Sequence, residues 1–203
     1  MEGQIPPKSI KAAPLTREAF APYGDVICSL PTPADTANQG TAKRFNHIGR
    51  HVRKTAQITN LRNKANPAQP NLCVFRCAPT PVLPFPMKLL ERHKFSSQFF
   101  VPMTPNQDGA RGYLVIVCLN DPVRDKPDYR TLKAFVASTT EGINYSAGCW
   151  HHPMIALERV TDFCVLVYER RELREAPDED CEEEFLAEEC IIEVDGFRGA
   201  SEL

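Results

Sequence analysis

The sequence predicts an all-β protein built as a single small barrel, with a short helix near its N-terminus and an acidic extension at its C-terminus. Eight short segments between residues 72 and 168 are apolar and rich in β-branched or aromatic residues, the composition of strands. Gly and Pro separate them, including Pro79, Pro81, Pro84, Pro86, Gly109, Gly112, Pro122 and Pro127. Many short strands with turn punctuation favour a barrel or sandwich over a βαβ fold. A length of 203 residues fits one domain over 1–203, with a barrel core at 12–168 and an acidic extension at 169–203.

In chain order, Thr16-Arg17-Glu18-Ala19-Phe20 reads as a short helix with Thr16 as its N-cap and Pro22 as its stop. Tyr23–Ile27 reads as the first strand. Residues 31–45, rich in Pro, Thr and Asn, read as a loop that carries Asn38-Gln39-Gly40-Thr41 and Arg44. Residues 50–71 are polar and basic without a sustained period, the mark of a surface excursion. The strand segments are Leu72–Ala78, Met87–His93, Ser97–Met103, Tyr113–Leu119, Leu132–Ala137, Ile143–Ser146, Met154–Leu157 and Phe163–Tyr168. From Glu169 to Glu189 the chain is strongly acidic and reads as a solvated tail with one helix around Glu182–Cys190. Ile191–Val194 reads as an added edge strand.

A net charge of −2 gives no drive toward nucleic acid or an anionic membrane. No apolar run reaches bilayer-spanning length, and Met1–Lys11 lacks the apolar stretch of a secretory signal. Of the eight cysteines, Cys73, Cys77, Cys118 and Cys164 fall inside apolar strand patterns, where a free thiol acts as a small hydrophobe. No second pair accompanies Cys73 and Cys77 at zinc-ribbon spacing. These features place the chain in the cytoplasm, with free cysteines. The terminal Ser201-Glu202-Leu203 is a weak peroxisomal alternative, because an acid replaces the basic residue of Ser-Lys-Leu.

Two stretches interrupt the strand patterns with proton-handling side chains: Glu91-Arg92-His93-Lys94-Phe95-Ser96-Ser97-Gln98 and Gly142-Ile143-Asn144-Tyr145-Ser146-Ala147-Gly148-Cys149-Trp150-His151-His152-Pro153. Cupin barrels carry His-x-His, four residues, then Glu, and later Pro-x-Gly, two residues, then His. On that frame the inward positions here are Glu91, His93, Gln98 and His151. Glu91 stands for the first His, Gln98 for the Glu and Ser146 for the Pro. Two imidazoles, a carboxylate and an amide oxygen suit a divalent cation such as nickel, manganese or zinc. Without metal, Glu91 with His93 or His151 is a general acid/base set. Loss of the carboxylate at Gln98 weakens the metal reading.

Among the cations nearby, Arg44 is the preferred anchor for a substrate carboxylate. Strand alternation turns Arg92 and Lys94 away from His93, and Lys88 with them unless a bulge shifts the register. Ser96, Ser97, Asn144 and Tyr145 are candidate hydrogen-bond donors to substrate. Trp150 reads as packing, and His152 as a bonded structural histidine on the opposite face from His151.

Several runs resemble the ureidoglycolate lyase family: Met87–His93, Ser96–Pro102, Tyr113–Val117, Leu132–Phe135 and Gly142–Leu157. Tyr23–Ile27 and the segment from Asn38 to Phe45 fit the same family, so the resemblance covers residues 15–168 in order. The paired Glu-Arg-His…Ser-Ser-Gln and Asn-Tyr…Trp-His-His-Pro motifs are its specific part. The 50–71 excursion and the long acidic tail fit a eukaryotic, fungal-type member. The resemblance implies a cupin-like barrel of jelly-roll type, a homodimer, and cleavage of (S)-ureidoglycolate to glyoxylate and urea in allantoin breakdown. His93, His151 and Glu91 would supply acid and base. Arg44, Ser97, Gln98, Asn144, Tyr145 and Lys88 would bind substrate. A metal, if bound, would rest on Glu91, His93, Gln98 and His151. Open alternatives are hydrolysis of the same substrate to ammonia and carbon dioxide, a metal-dependent cupin acting on another small acid, and a non-catalytic cupin.

Overall fold

The computed structural model describes residues 5–30, 35–37, 41–46, 48, 68–104, 112–169 and 180–196. In chain order they form β1 (Ser9–Lys11), β2 (Ala13–Pro14), α1 (Arg17–Phe20), β3 (Gly24–Ile27), β4 (Asp35–Ala37), β5 (Ala42–Arg44), β6 (Gln69–Cys77), β7 (Phe85–Arg92), β8 (Gln98–Pro102), β9 (Tyr113–Asp121), β10 (Lys126–Ala137), β11 (Gly142–Tyr145), β12 (Trp150–His151), β13 (Ile155–Ala156), β14 (Thr161–Glu169) and β15 (Glu182–Glu193). Thr16 caps α1 as its residue type requires, its hydroxyl accepting from the Ala19 N–H at 3.1 Å.

The eight-stranded sheet runs β1-β15-β7-β12-β9-β10-β2, with β13 paired to β9. Its ends curl toward one another, since β10 also contacts β1 and β15, and the sheet is a nearly closed cupin-like barrel. A five-stranded sheet, β3-β11-β8-β14-β6, packs against one wall, and β4 and β5 form a separate hairpin.

Alternation along β9 shows how the layers are built. Tyr113, Val115 and Val117 face a core shared with the five-stranded sheet, where Phe20, Phe100, Phe163 and Val165 meet them. Leu114, Ile116 and Cys118 face a second core with Met87, Leu90, Trp150, Cys190 and Ile192. Both faces are dry, so this strand reads as an unbroken apolar run rather than an alternating one.

The acidic segment corrects the sequence reading. Residues 182–190 are strand, not helix, and residues 182–193 lie inside the sheet between β1 and β7 rather than at its edge. Cys190 and Ile192 are fully buried, so β15 supplies core; β1 and β15 both lie outside residues 12–168. Glu182 and Glu184 are tolerated because cations sit opposite: Glu182 pairs with Arg92, and Glu184 accepts from Lys126 Nζ at 2.5 Å. Residues 69–71, expected in the polar excursion, already belong to β6, while residues 50–67 of that excursion lie outside the described residues. So do Asn38–Gly40 and Ser201–Leu203. All eight cysteines are free. No helix among the described residues is long and apolar enough to cross a membrane.

Candidate active site

Two strand ends and two turns bring the chemistry together between the sheets. His93 follows β7, and the short turn after it leads to Gln98, the first residue of β8. Tyr145 ends β11, and a second turn leads to His151 on β12. Gly148 makes that turn possible: it adopts φ +77°, a conformation that costs an L side chain energy. Its N–H donates to the His93 carbonyl at 2.8 Å, tying the two turns to each other.

Strand register then sets the faces. Glu91 and His151 are direct cross-strand partners, and His151 also stands opposite Val117, so all three look toward the core between the sheets. Across that core Tyr145 stands beside Gln98 in the five-stranded sheet.

His151 Nε2 lies 3.0 Å from Gln98 Oε1 and 3.5 Å from Glu91 Oε1. Its other nitrogen, Nδ1, donates to the Cys149 carbonyl at 3.0 Å. The Tyr145 ring stacks on His151 at 4.0 Å and 14°. The His93 ring lies 5.8 Å from that of His151, and its Nδ1 donates to the Asp180 carbonyl at 2.7 Å. This leaves His93 Nε2 buried without a hydrogen-bond partner, and the Tyr145 hydroxyl is in the same position.

The electrostatics differ between the groups. Burial pushes the Glu91 carboxyl upward, but the hydrogen bond and charge of His151, with His93 behind it, outweigh this and hold it below its ordinary value. His93 is held below the usual imidazole range by burial first and by repulsion from His151 second. Burial raises Tyr145 well above the ordinary phenol value, so its proton stays on. Cys181 Sγ lies 3.8 Å from Glu91 Oε2, and burial with the neighbouring carboxylates pushes this thiol up to about 12.

Of the residues expected at the site, the structure brings together Glu91, His93, Gln98, His151 and Tyr145. Ser97 is buried beside Gln98. Asn144 is buried too, but it faces the other side of its strand, with its amide 3.5 Å from Asp25 Oδ2. Arg44 is exposed on β5, in register with Asp35, and shows no contact with the histidines among the described residues. Lys88 lies apart as well, largely exposed and 3.7 Å from Glu189 Oε2. Arg92 points away from His93 as alternation requires; it is buried over the Trp150 ring at 4.4 Å. Trp150 is packing, and its Nε1–H donates to Asn120 Oδ1 at 3.0 Å. His152 is a bonded histidine, its ring edge-on to Phe85 at 5.1 Å and its Nδ1 donating to the Pro153 carbonyl.

Asp180 and Cys181 were not legible as site residues, since β15 reaches the cluster only through long-range pairing with β7. The alternation Cys190-x-Ile192-x-Val194 was the available signal, because it marks a half-buried strand whose N-terminal extension must run past Glu91.

Glu91, His93 and His151 each offer one ligand atom, and these atoms lie within 4.8 Å of one another. Two imidazoles and a carboxylate form a donor set for a borderline divalent ion, and the unpartnered His93 Nε2 leaves one ligand position ready. A cavity of about 430 Å³, lined by Ile5, Pro7, Ile10, Tyr129, Arg130 and Leu132, shares no residue with the cluster.

A family model described as ureidoglycolate lyase matches residues 7–193, which includes β1 and β15. Similar proteins from bacteria and yeast carry that name. One from Burkholderia mallei (strain NCTC 10229) is 38% identical over 159 residues, covering 78% of this chain and 82% of the relative. One from Saccharomyces cerevisiae is 34% identical over 206 residues, covering 91% and 98%. One from Pseudomonas syringae pv. syringae (strain B728a) is 33% identical over 182 residues, covering 90% and 92%. With a cupin-like barrel and a histidine–carboxylate cluster in its interior, the chain belongs to the ureidoglycolate lyase family.

Proposed function

We propose that this protein cleaves the C–N bond of (S)-ureidoglycolate, releasing glyoxylate and urea in allantoin breakdown. The observation that carries the reading is the pairing of two histidines of opposite character around Glu91 in a chain of this family. Ureidoglycolate has one carbon bearing a carboxylate, a hydroxyl and a urea nitrogen. Cleavage needs a base for the hydroxyl proton and an acid for the departing nitrogen, because a urea anion is a poor leaving group.

His93 is suited to be the base. Its Nδ1–H is committed to the Asp180 carbonyl, so the free Nε2 lone pair can accept a proton, and burial favours the neutral ring. His151 is suited to be the acid. Its Nδ1 faces the Cys149 carbonyl, while Nε2 faces Gln98 Oε1 with the Glu91 carboxylate 3.5 Å away, so a proton on this ring would be held among oxygen acceptors. The hydroxyl proton passes to His93, its electron pair forms the aldehyde carbonyl, the C–N pair moves to nitrogen, and His151 protonates that nitrogen. Glu91, with an oxygen within 4.8 Å of a nitrogen on each ring, would return the proton afterwards. Gln98 and Tyr145 face the same space and are proposed to orient substrate, with Ser97 beside them as a partner for its carboxylate.

Glu91, His93 and His151 are also the residues that would hold a divalent ion such as nickel, manganese or zinc, with Gln98 beside them. When bound, the ion would supply Lewis acidity toward a substrate oxygen. A ring nitrogen binds such an ion only in its unprotonated form.

The protein is proposed to work as a homodimer in the cytoplasm, with no nucleic-acid or membrane partner. Exposed Leu72, Val74 and Phe75 on the edge strand β6 support self-association, and eight free cysteines support a reducing compartment. The test is to follow glyoxylate, urea and ammonia together from freshly prepared substrate. Glyoxylate and urea in equal amounts are expected; ammonia in place of urea would make the protein a hydrolase instead.

A further inference from the structure

We propose that the leader of β15, Asp180-Cys181-Glu182, is a positioning element for the active site, latched in place by Glu182 on the buried Arg92. The proposal rests on the lyase reading for its kinetic consequences, but the geometry stands without it.

Asp180 and Cys181 both meet the cluster from the side opposite the Gln98 sheet. The Asp180 carbonyl accepts from His93 Nδ1 at 2.7 Å. A carbonyl can only accept, so this bond fixes the proton on Nδ1 and leaves the Nε2 lone pair toward the cluster. At the next residue the Cys181 thiol points its Sγ at Glu91 Oε2 at 3.8 Å, a weak donor contact that restrains the carboxylate. One short backbone segment thereby sets the tautomer of one reacting group and the orientation of another.

His93 follows β7 directly and Asp180 precedes β15 by two residues, so the His93–Asp180 bond lies just beyond the last paired residues, Arg92 and Glu182. There Glu182 Oε2 takes a hydrogen bond from Arg92 Nε at 2.6 Å and is ion-paired with Nη2 of the same guanidinium. Arg92 is 2% exposed, packed over Trp150 and held from its other side by Asn120 and Asp125 at 2.8 and 2.9 Å. It is thus a fixed post, and Glu182 is what ties the leader to it. A charge-assisted bond from a buried, fixed guanidinium restrains the carboxylate more than an exposed pair does. Lys126–Glu184, two residues along the same strand, is such an exposed pair and touches none of the cluster residues.

The experiment compares Glu182→Ala, Glu182→Gln and the control Glu184→Ala in the full chain, reading kcat and KM together with the tautomer of His93 by ¹⁵N NMR of labelled histidine. Groups that orient a functional imidazole typically matter by tenfold or more. Glu182→Ala is expected to lower kcat by about tenfold with little change in KM, and to spread His93 over both tautomers. Glu182→Gln, which keeps the shape and trades a charge-assisted bond for a neutral one, falls between it and the native chain. Glu184→Ala leaves kcat and the His93 tautomer as they were. A folded Glu182 variant with native kcat and His93 protonated only on Nδ1 would overturn the proposal. So would an equal loss from Glu184→Ala. If Glu182→Ala does not fold, Glu182→Gln decides by the same two readouts. Failure of the native protein to cleave ureidoglycolate would count against the lyase reading alone, since the tautomer measurement needs no substrate.

Discussion

Two histidines whose ring centres lie 5.8 Å apart differ in what their nitrogens meet. His93 gives its Nδ1–H to Asp180 and keeps an open Nε2; His151 meets oxygen at both nitrogens. The same atoms make a specific prediction about metal. Isothermal titration with nickel or zinc should show one equivalent bound per chain, with proton release, and His93→Ala should abolish it. Binding retained in His93→Ala would mean the ion sits elsewhere. Much of this cluster was readable from sequence, because strand pairing places Glu91 against His151 and the spacing of Gln98 and Gly148 marks the two turns. Direction was harder: Asn144 lies next to Tyr145 but faces the other side of the sheet, as strict alternation demands. Arg44 and Lys88 had only their charge to recommend them, and charge alone does not place a side chain.

β15 is the element where sequence reasoning went furthest astray. Residues 182–184 are consecutive glutamates, which erase the alternation that marks a strand and leave a charge pattern typical of a solvated helix or tail. Its strand character depends on Arg92 and Lys126, which stand 90 and 58 positions before Glu182 and Glu184, and such tertiary pairing overrides local pattern. If β15 is core, Ile192→Ala should destabilise the fold by about 2–5 kcal/mol, read as a lower urea midpoint at unchanged slope. A tail would show almost no effect. The strands β7 to β11, β13 and β14 were legible because each falls in an apolar run bounded by turn residues, whereas β1, β2 and β12 are too short to declare themselves.

For the whole molecule, acid stability reports on the knot where β7, β15 and the β9–β10 turn meet. Hydrogen bonds from Arg92 and Lys94 hold the Asp125 carboxyl far below its ordinary value. The folded state therefore binds this proton less readily than the unfolded chain. The contribution is fully present above the unfolded value of about 3.9 and is lost as pH falls below it. Asp125→Asn should lower the melting temperature at neutral pH and flatten its decline below about pH 4. Parallel curves for the two proteins would contradict this. The barrel, its family and the central cluster thus follow from local pattern, while closure of the sheet by β15 is a property of the assembled chain.

The most direct test of the account is the single-turnover rate of glyoxylate release in His93→Ala and His151→Ala beside the native protein, with folding checked by circular dichroism. Each variant is expected to fold and to lose on the order of 10²–10⁴ in rate, the worth of a general acid or base. Near-native turnover in either would contradict the assignment of the chemistry to this cluster.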